Sequence, residues 1–94
     1  MTAEQTELFH LQILRVLDLN AGKQFGLGPS SIQVLVSPFG FGTATIEQIN
    51  AALDYLSDSD IRFVEPVNKG QFNTANRTWK ITARGINHIR AAGH

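Results

Sequence analysis

The feature that most constrains this chain is a change of apolar period at Asp60. Before it, apolar side chains recur every three to four residues, the spacing of a helix face; after it they alternate, the spacing of a half-buried strand. A helical period returns after Thr82. Helices, then a hairpin, then a helix make an α+β chain that is mainly α. With 94 residues there is room for one domain, so residues 1–94 are expected to share one core.

The first helix is expected over residues 4–20, with Phe9, Ile13, Val16 and Leu17 on one face and Thr2 or Thr6 as its cap. Asn20-Ala21-Gly22 ends it. Leu8, Leu11 and Leu19 fall on another side and form an apolar surplus. Residues 22–30 form a glycine-rich loop. A short helix then runs from Pro29 to Val36, with Ile32, Leu35 and Val36 inward, because proline suits a first helical turn. Pro38 stops it, and Phe39 and Phe41 are expected to pin the following turn to the core. The clearest helix spans residues 43–57. Thr43 or Thr45 caps it, Glu47 or Gln48 answers from the first turn, and Ile46, Ile49, Leu53 and Leu56 lie inward. Its outward stripe is Ala44, Glu47, Gln48, Ala51, Asp54, Tyr55 and Asp58.

Ser57-Asp58-Ser59-Asp60 is a polar turn. A strand is expected over 61–66, with Ile61, Phe63 and Glu65 on one side and Arg62 and Val64 on the other; Pro66 ends it or places it on an edge. Residues 67–76 form a polar loop. A second strand covers 77–82, with Trp79 and Ile81 inward and Thr78 and Lys80 outward, so the two strands make a hairpin. Thr82 caps a closing helix over 83–92, with Ile86 and Ile89 inward and Gly93 at its end.

Net charge is zero but segregated. Residues 1–60 carry two cations against seven carboxylates, and residues 61–94 carry six cations against one. The basic C-terminal third suits an anionic partner, or it suits the acidic part of the same chain. Cysteine is absent, which fits a reducing compartment. The polar start lacks a secretory pattern, and no apolar run approaches the ~20 residues that span a bilayer, so a cytoplasmic location without membrane contact is expected.

One stretch carries a resemblance. Ile49-x-x-x-Leu53-x-Tyr55-Leu56 runs into Ile61-x-Phe63-Val64, and later comes Trp79-x-Ile81-Thr82-x-x-Gly85-x-x-x-Ile89. Together with the element order, this resembles winged helix-turn-helix transcriptional regulators of the PadR and MarR groups. The resemblance covers roughly residues 5–92 and implies a three-helix core, a β-hairpin wing and a C-terminal helix. It further implies that the 43–57 helix enters the major groove of double-stranded DNA and that the 67–76 loop is the wing tip. Carried over, Thr43, Thr45, Glu47, Gln48 and Ala51 lie nearest base edges. Gln48 is suited to adenine and Glu47 to cytosine. Lys69, Arg77 and Lys80 become phosphate contacts, with Arg62 and Arg84 at the base of the wing. The implied protein is a DNA-binding transcriptional regulator. The apolar surplus on the first helix, extended by Ile86 and Ile89 of the last, is expected to make it a homodimer through its terminal helices.

An alternative stays open. The 43–57 helix has no Lys or Arg and carries Glu47, Asp54 and Asp58 outward, which phosphates repel. A winged helix used for protein contact, as an adaptor or complex subunit without DNA binding, fits that face. Enzymatic function is not expected. Ser30-Ser31 has no motif partner, Asp54, Asp58 and Asp60 read as a solvated helix end, and the glycine pattern fits no phosphate loop. His10, His88 and His94 lack ligand spacing, so neither metal nor cofactor is expected. Trp79 reads as core, while Phe72 either folds back on the wing or makes a contact.

Overall fold

A computed structural model describes residues 2–20, 26–67 and 78–93. Helix α1 (Ala3–Leu19) starts at a reciprocal cap. The Thr2 hydroxyl accepts from the Gln5 N–H at 3.1 Å, and Gln5 Oε1 accepts from the Thr2 N–H at 3.0 Å. Phe9, Ile13, Val16 and Leu17 are all buried, as their spacing requires. Asn20 closes the helix, its side-chain amide donating to the Val16 carbonyl at 2.8 Å.

Helix α2 (Pro29–Val36) has proline in its first turn and buries Ile32 and Val36 completely. Leu35, expected inward, is 37% exposed; it lies roughly a quarter turn off the stripe through Ile32 and Val36, and so short a helix presents one narrow face. A single 3-10 turn, Ser37–Phe39, follows. Phe39 does not pin this turn, being 57% exposed. Phe41 does, packing on Phe9 with ring centroids 5.1 Å apart. Gln33 Nε2 donates to the Ala44 carbonyl at 2.8 Å, which ties α2 to the approach of the next helix.

Helix α3 (Ile46–Leu56) begins three residues later than the 43–57 expectation. Thr45, not Thr43, is the cap. Its hydroxyl accepts from the Gln48 N–H at 3.1 Å, and Gln48 Oε1 accepts from the Thr45 N–H at 2.9 Å. Ala44 therefore precedes the helix and is buried instead of facing outward. Ile49, Ala52, Leu53 and Leu56 form the inner face, with Ile46 half-buried.

The strand expected over 61–66 is shorter: β1 is Val64–Pro66. Local hydrogen bonds hold the chain in a turn until then. The Asp58 carbonyl accepts from the N–H groups of Ile61 and Arg62 at 2.9 and 2.8 Å, and the Phe63 N–H reaches back to Leu56 O at 2.8 Å. Arg62 takes a left-handed conformation, φ 50°. The extended strand begins only after it. Val64, not Ile61 or Phe63, becomes the fully buried residue, while the other two are half-buried.

Strand β2 (Trp79–Ile81) pairs antiparallel with β1, setting Val64 opposite Ile81 and Glu65 opposite Lys80. Trp79 and Ile81 are buried and Lys80 is exposed. The other edge of β2 is also used. Leu27, in a segment expected to be loop, exchanges backbone bonds with Trp79 at 2.9 and 2.8 Å. Gly26 makes this possible: it has φ +69°, and a Cβ there would lie 2.5 Å from the Trp79 carbonyl oxygen.

Helix α4 (Ala83–Gly93) includes Gly93 instead of stopping before it. Its first turn is locked to the hairpin. The Thr82 hydroxyl accepts from the Gly85 N–H and donates to the Arg62 carbonyl, while the Thr82 N–H donates to Phe63 O. Residues of α1, α2, α3 and both strands share one apolar cluster, against which Ile86 and Ile89 of α4 pack half-buried. Among the described residues, no helix is long and apolar enough to cross a membrane.

Candidate nucleic-acid interface

The residues assigned to base contact sit at and just before the start of α3. Thr43 is exposed in the preceding turn, and Glu47, Gln48 and Ala51 are exposed on the helix. Thr45 is exposed but committed to the cap, as is one oxygen of Gln48. Glu47 in the first turn is favoured by the helix dipole, so its carboxylate has a structural reason to be there.

The cations are distributed less simply. Arg62 is exposed at the turn before β1. Lys80 Nζ lies 3.3 Å from Glu65 Oε1 across the hairpin, in contact with solvent; a pair of this kind contributes ~0–1 kcal/mol and leaves Lys80 able to exchange partners. Lys69, Arg77 and the rest of the proposed wing tip, including Phe72, lie outside the described residues; Val67, where the 67–76 loop begins, is described and donates to Thr78 O at 2.9 Å. His94 lies outside them too.

Arg84 is separated from Lys80 by its surroundings. It joins Gln48 and Ala51 in lining a groove of about 950 Å³ between the first half of α1, the outer face of α3, the turn before β1 and the start of α4. No apolar period in the sequence marks this groove. Two stacked ring pairs stand in its walls. His10 of α1 lies on Tyr55 of α3 with centroids 5.0 Å apart and planes at 23°. His88 of α4 lies on Phe63 at 4.4 Å and 21°. Burial pushes the His10 imidazole below its ordinary pKa, so it favours the neutral form. Each pair joins residues far apart in the chain, so periodicity carries no sign of them. The only local hint was Tyr55 and Ala51, two apolar side chains on a stripe otherwise rich in carboxylates.

Asp54, Asp58 and Asp60 are exposed at the end of α3, where Asp58 Oδ1 accepts from the Asp60 N–H at 3.0 Å in a local turn. Among the described residues, no three His, Cys, Asp or Glu side chains converge as a metal-ligand set. On α1, Leu8 is exposed and Leu19 is 81% exposed, whereas Leu11 is half-buried at the groove. No protein-family model, curated protein or solved structure matches the chain.

Proposed function

We propose that this chain is a winged helix-turn-helix domain that binds double-stranded DNA as a transcriptional regulator. The observation that carries the reading is the path of the chain. After α1, Leu27 adds one rung to β2; α2 and α3 follow, joined by a short turn; β1 and β2 then form a hairpin that leads into α4. A winged helix uses this order of helices and hairpin. In that arrangement α3 is the recognition helix, and the loop between β1 and β2 is the wing. Thr43, Glu47, Gln48 and Ala51 then face base edges. Arg62 and Lys80, with Lys69 and Arg77 of the wing, hold phosphates.

Fluorescence anisotropy with labelled duplexes tests this. Binding should weaken steeply between low and moderate salt, and Arg62→Ala or Lys80→Ala should each reduce the salt slope by about one, alike for all sequences. Gln48→Ala should relax sequence preference. Because the same substitution removes half of the cap, its stability is measured alongside. Absence of binding to any duplex at low salt would overturn the proposal. The regulator would act as a two-fold dimer through the exposed side of α1 at Leu8 and Leu19, placing two α3 helices about one DNA turn apart. Sedimentation giving a monomer at tens of micromolar would exclude the dimer.

A second reading has its own observation. The exposed face of α3 presents Glu47, Asp54 and no cation, so it is suited to a protein partner as well as, or in place of, DNA.

A further inference from the structure

We propose that the groove between α1, α3 and α4 docks a basic amphipathic helix from a partner protein. This inference does not require DNA binding, and a helix seated here would compete with a duplex for Gln48 and Ala51. The groove's floor is apolar, formed by Leu11 and Leu14 of α1, Leu56 of α3 and Ile61 of the turn. Its α1 wall runs from Ala3 to Leu14, roughly 16 Å at 1.5 Å per residue, which matches about three turns of a helix laid alongside. A trench of this length, open on one side and apolar at its base, is the shape that receives the apolar stripe of an amphipathic helix.

Charge selects the partner. Glu7 and Asp60 line the groove, opposed among the described residues by Arg84 alone of the arginines and lysines. Exposed charges adjoin the lining residues: Glu4 lies one turn before Glu7 on α1, Glu47 adjoins Gln48 on α3 and Asp58 precedes Asp60, against Arg62 between Ile61 and Phe63. A helix entering with its apolar stripe down brings its flanking side chains to these rims. Lysine or arginine is attracted there and acidic residues are repelled. Ala51, small and exposed on the α3 wall, leaves room for a large apolar side chain of the partner. Beside it Tyr55, 56% exposed and held by His10, offers an aromatic surface of the kind that anchors interfaces.

The test uses the full 94-residue chain and two fluorescein-labelled synthetic peptides. Both carry leucine at i, i+3, i+4 and i+7; one has lysine at the flanking positions and the other glutamate. The lysine peptide should bind, more weakly as salt rises, and the glutamate peptide should not. Ala51→Arg should weaken lysine-peptide binding about tenfold by filling the groove with a like charge. Glu7→Lys should also weaken it and serves as a second variant on a different helix. Val34→Arg adds the same charge on an exposed site of α2 outside the groove and should leave binding unchanged. Circular dichroism and melting curves establish that each variant is folded. Failure of the lysine peptide to bind at low salt would overturn the proposal. So would equal weakening by Val34→Arg, which would mean diffuse attraction with no groove. Self-association of the unliganded chain that Ala51→Arg dissolves would overturn it in favour of a second copy as the occupant.

Discussion

Replacing Gly85 by alanine sets two effects of opposite sign against each other. In a solvated helix, glycine to alanine stabilises by up to about 1 kcal/mol, because alanine loses less backbone entropy on folding. At Gly85 the new methyl would collide with the Phe63 carbonyl oxygen and would sit 2.7 Å from Ile81 Cγ1. The first neighbour is backbone, fixed by the Thr82 N–H bond to the same oxygen, so it cannot rotate away. Relief requires α4 to lift from the hairpin, weakening the Thr82 cap and the packing of Ile86 and Ile89. Overpacking of this kind costs about 1–3 kcal/mol and more where backbone must move. Subtracting the propensity gain leaves a net loss of roughly 1–2 kcal/mol, which lowers the melting temperature by several degrees in a domain of this size. Asn87→Ala, at an exposed position two residues along the same helix, has the propensity gain without the collision and should be neutral to stabilising. Urea unfolding followed by circular dichroism measures both. If Gly85→Ala stabilises the protein as Asn87→Ala does, then α4 does not approach the hairpin at residue 63, and the explanation of the Thr82-x-x-Gly85 step fails.

Leu53 is completely buried, and Leu53→Ala should cost about 2–5 kcal/mol in the same assay; a loss under about 0.5 kcal/mol would mean α3 is rotated. Thr45→Ala breaks the reciprocal cap and should cost about 1 kcal/mol, whereas Thr43→Ala should cost almost nothing, since Thr45 alone makes the bond. Burial holds the His10 pKa below the value near 6.5 of an unfolded chain, so the unfolded state takes up protons first. Stability should therefore fall as pH drops through about 6.5 toward the lower folded pKa, and His10→Phe should flatten that fall between pH 7 and 5 as read by urea midpoints. An unchanged pH dependence in the variant would show that His10 is not the group responsible.

The inner faces of α1 and α3 were legible because a buried helical stripe must repeat at the helical period. Phe9, Ile13, Val16 and Leu17 had to share a side, as did Ile49, Leu53 and Leu56. Element ends were less so, because capping is decided by geometry between equivalent residues: Thr43 and Thr45 are both competent, and the Gln33 bond to Ala44 favours the later start. The change of period after Asp60 was legible, but not that the strand starts only at Val64. The Asp58 carbonyl gathers two N–H groups, and Arg62 turns left-handed before the strand begins. Nothing in the apolar pattern of residues 61–66 encodes that twist. The Leu27 rung was hidden for a similar reason. One paired residue in a glycine-rich segment has no periodicity, and its partner is more than fifty residues away.

The candidate site divides along the same line. The outer face of α3 can be located from sequence, since exposure follows from the inner face; what that face meets depends on fields that several elements create together. The sequence places the acids of α3 and the cations of the last third on separate segments. In the folded chain Arg84 of that basic third lines the same groove as Gln48 and Ala51, while Lys80 is paired with Glu65 on the hairpin. The groove thus sets Arg84, on its α4 side, among carboxylates contributed by α1 and by the turn before β1. Gln48 is the pivot between the readings. Its side-chain oxygen is bound to the Thr45 N–H, so bidentate contact with adenine must exchange an intramolecular bond for an intermolecular one. A helix seated against Ala51 asks for no such exchange, because the cap stays closed. Discrimination by Gln48 is therefore reduced by the strength of the cap, and a substitution that frees its side chain from Thr45 is expected to sharpen it.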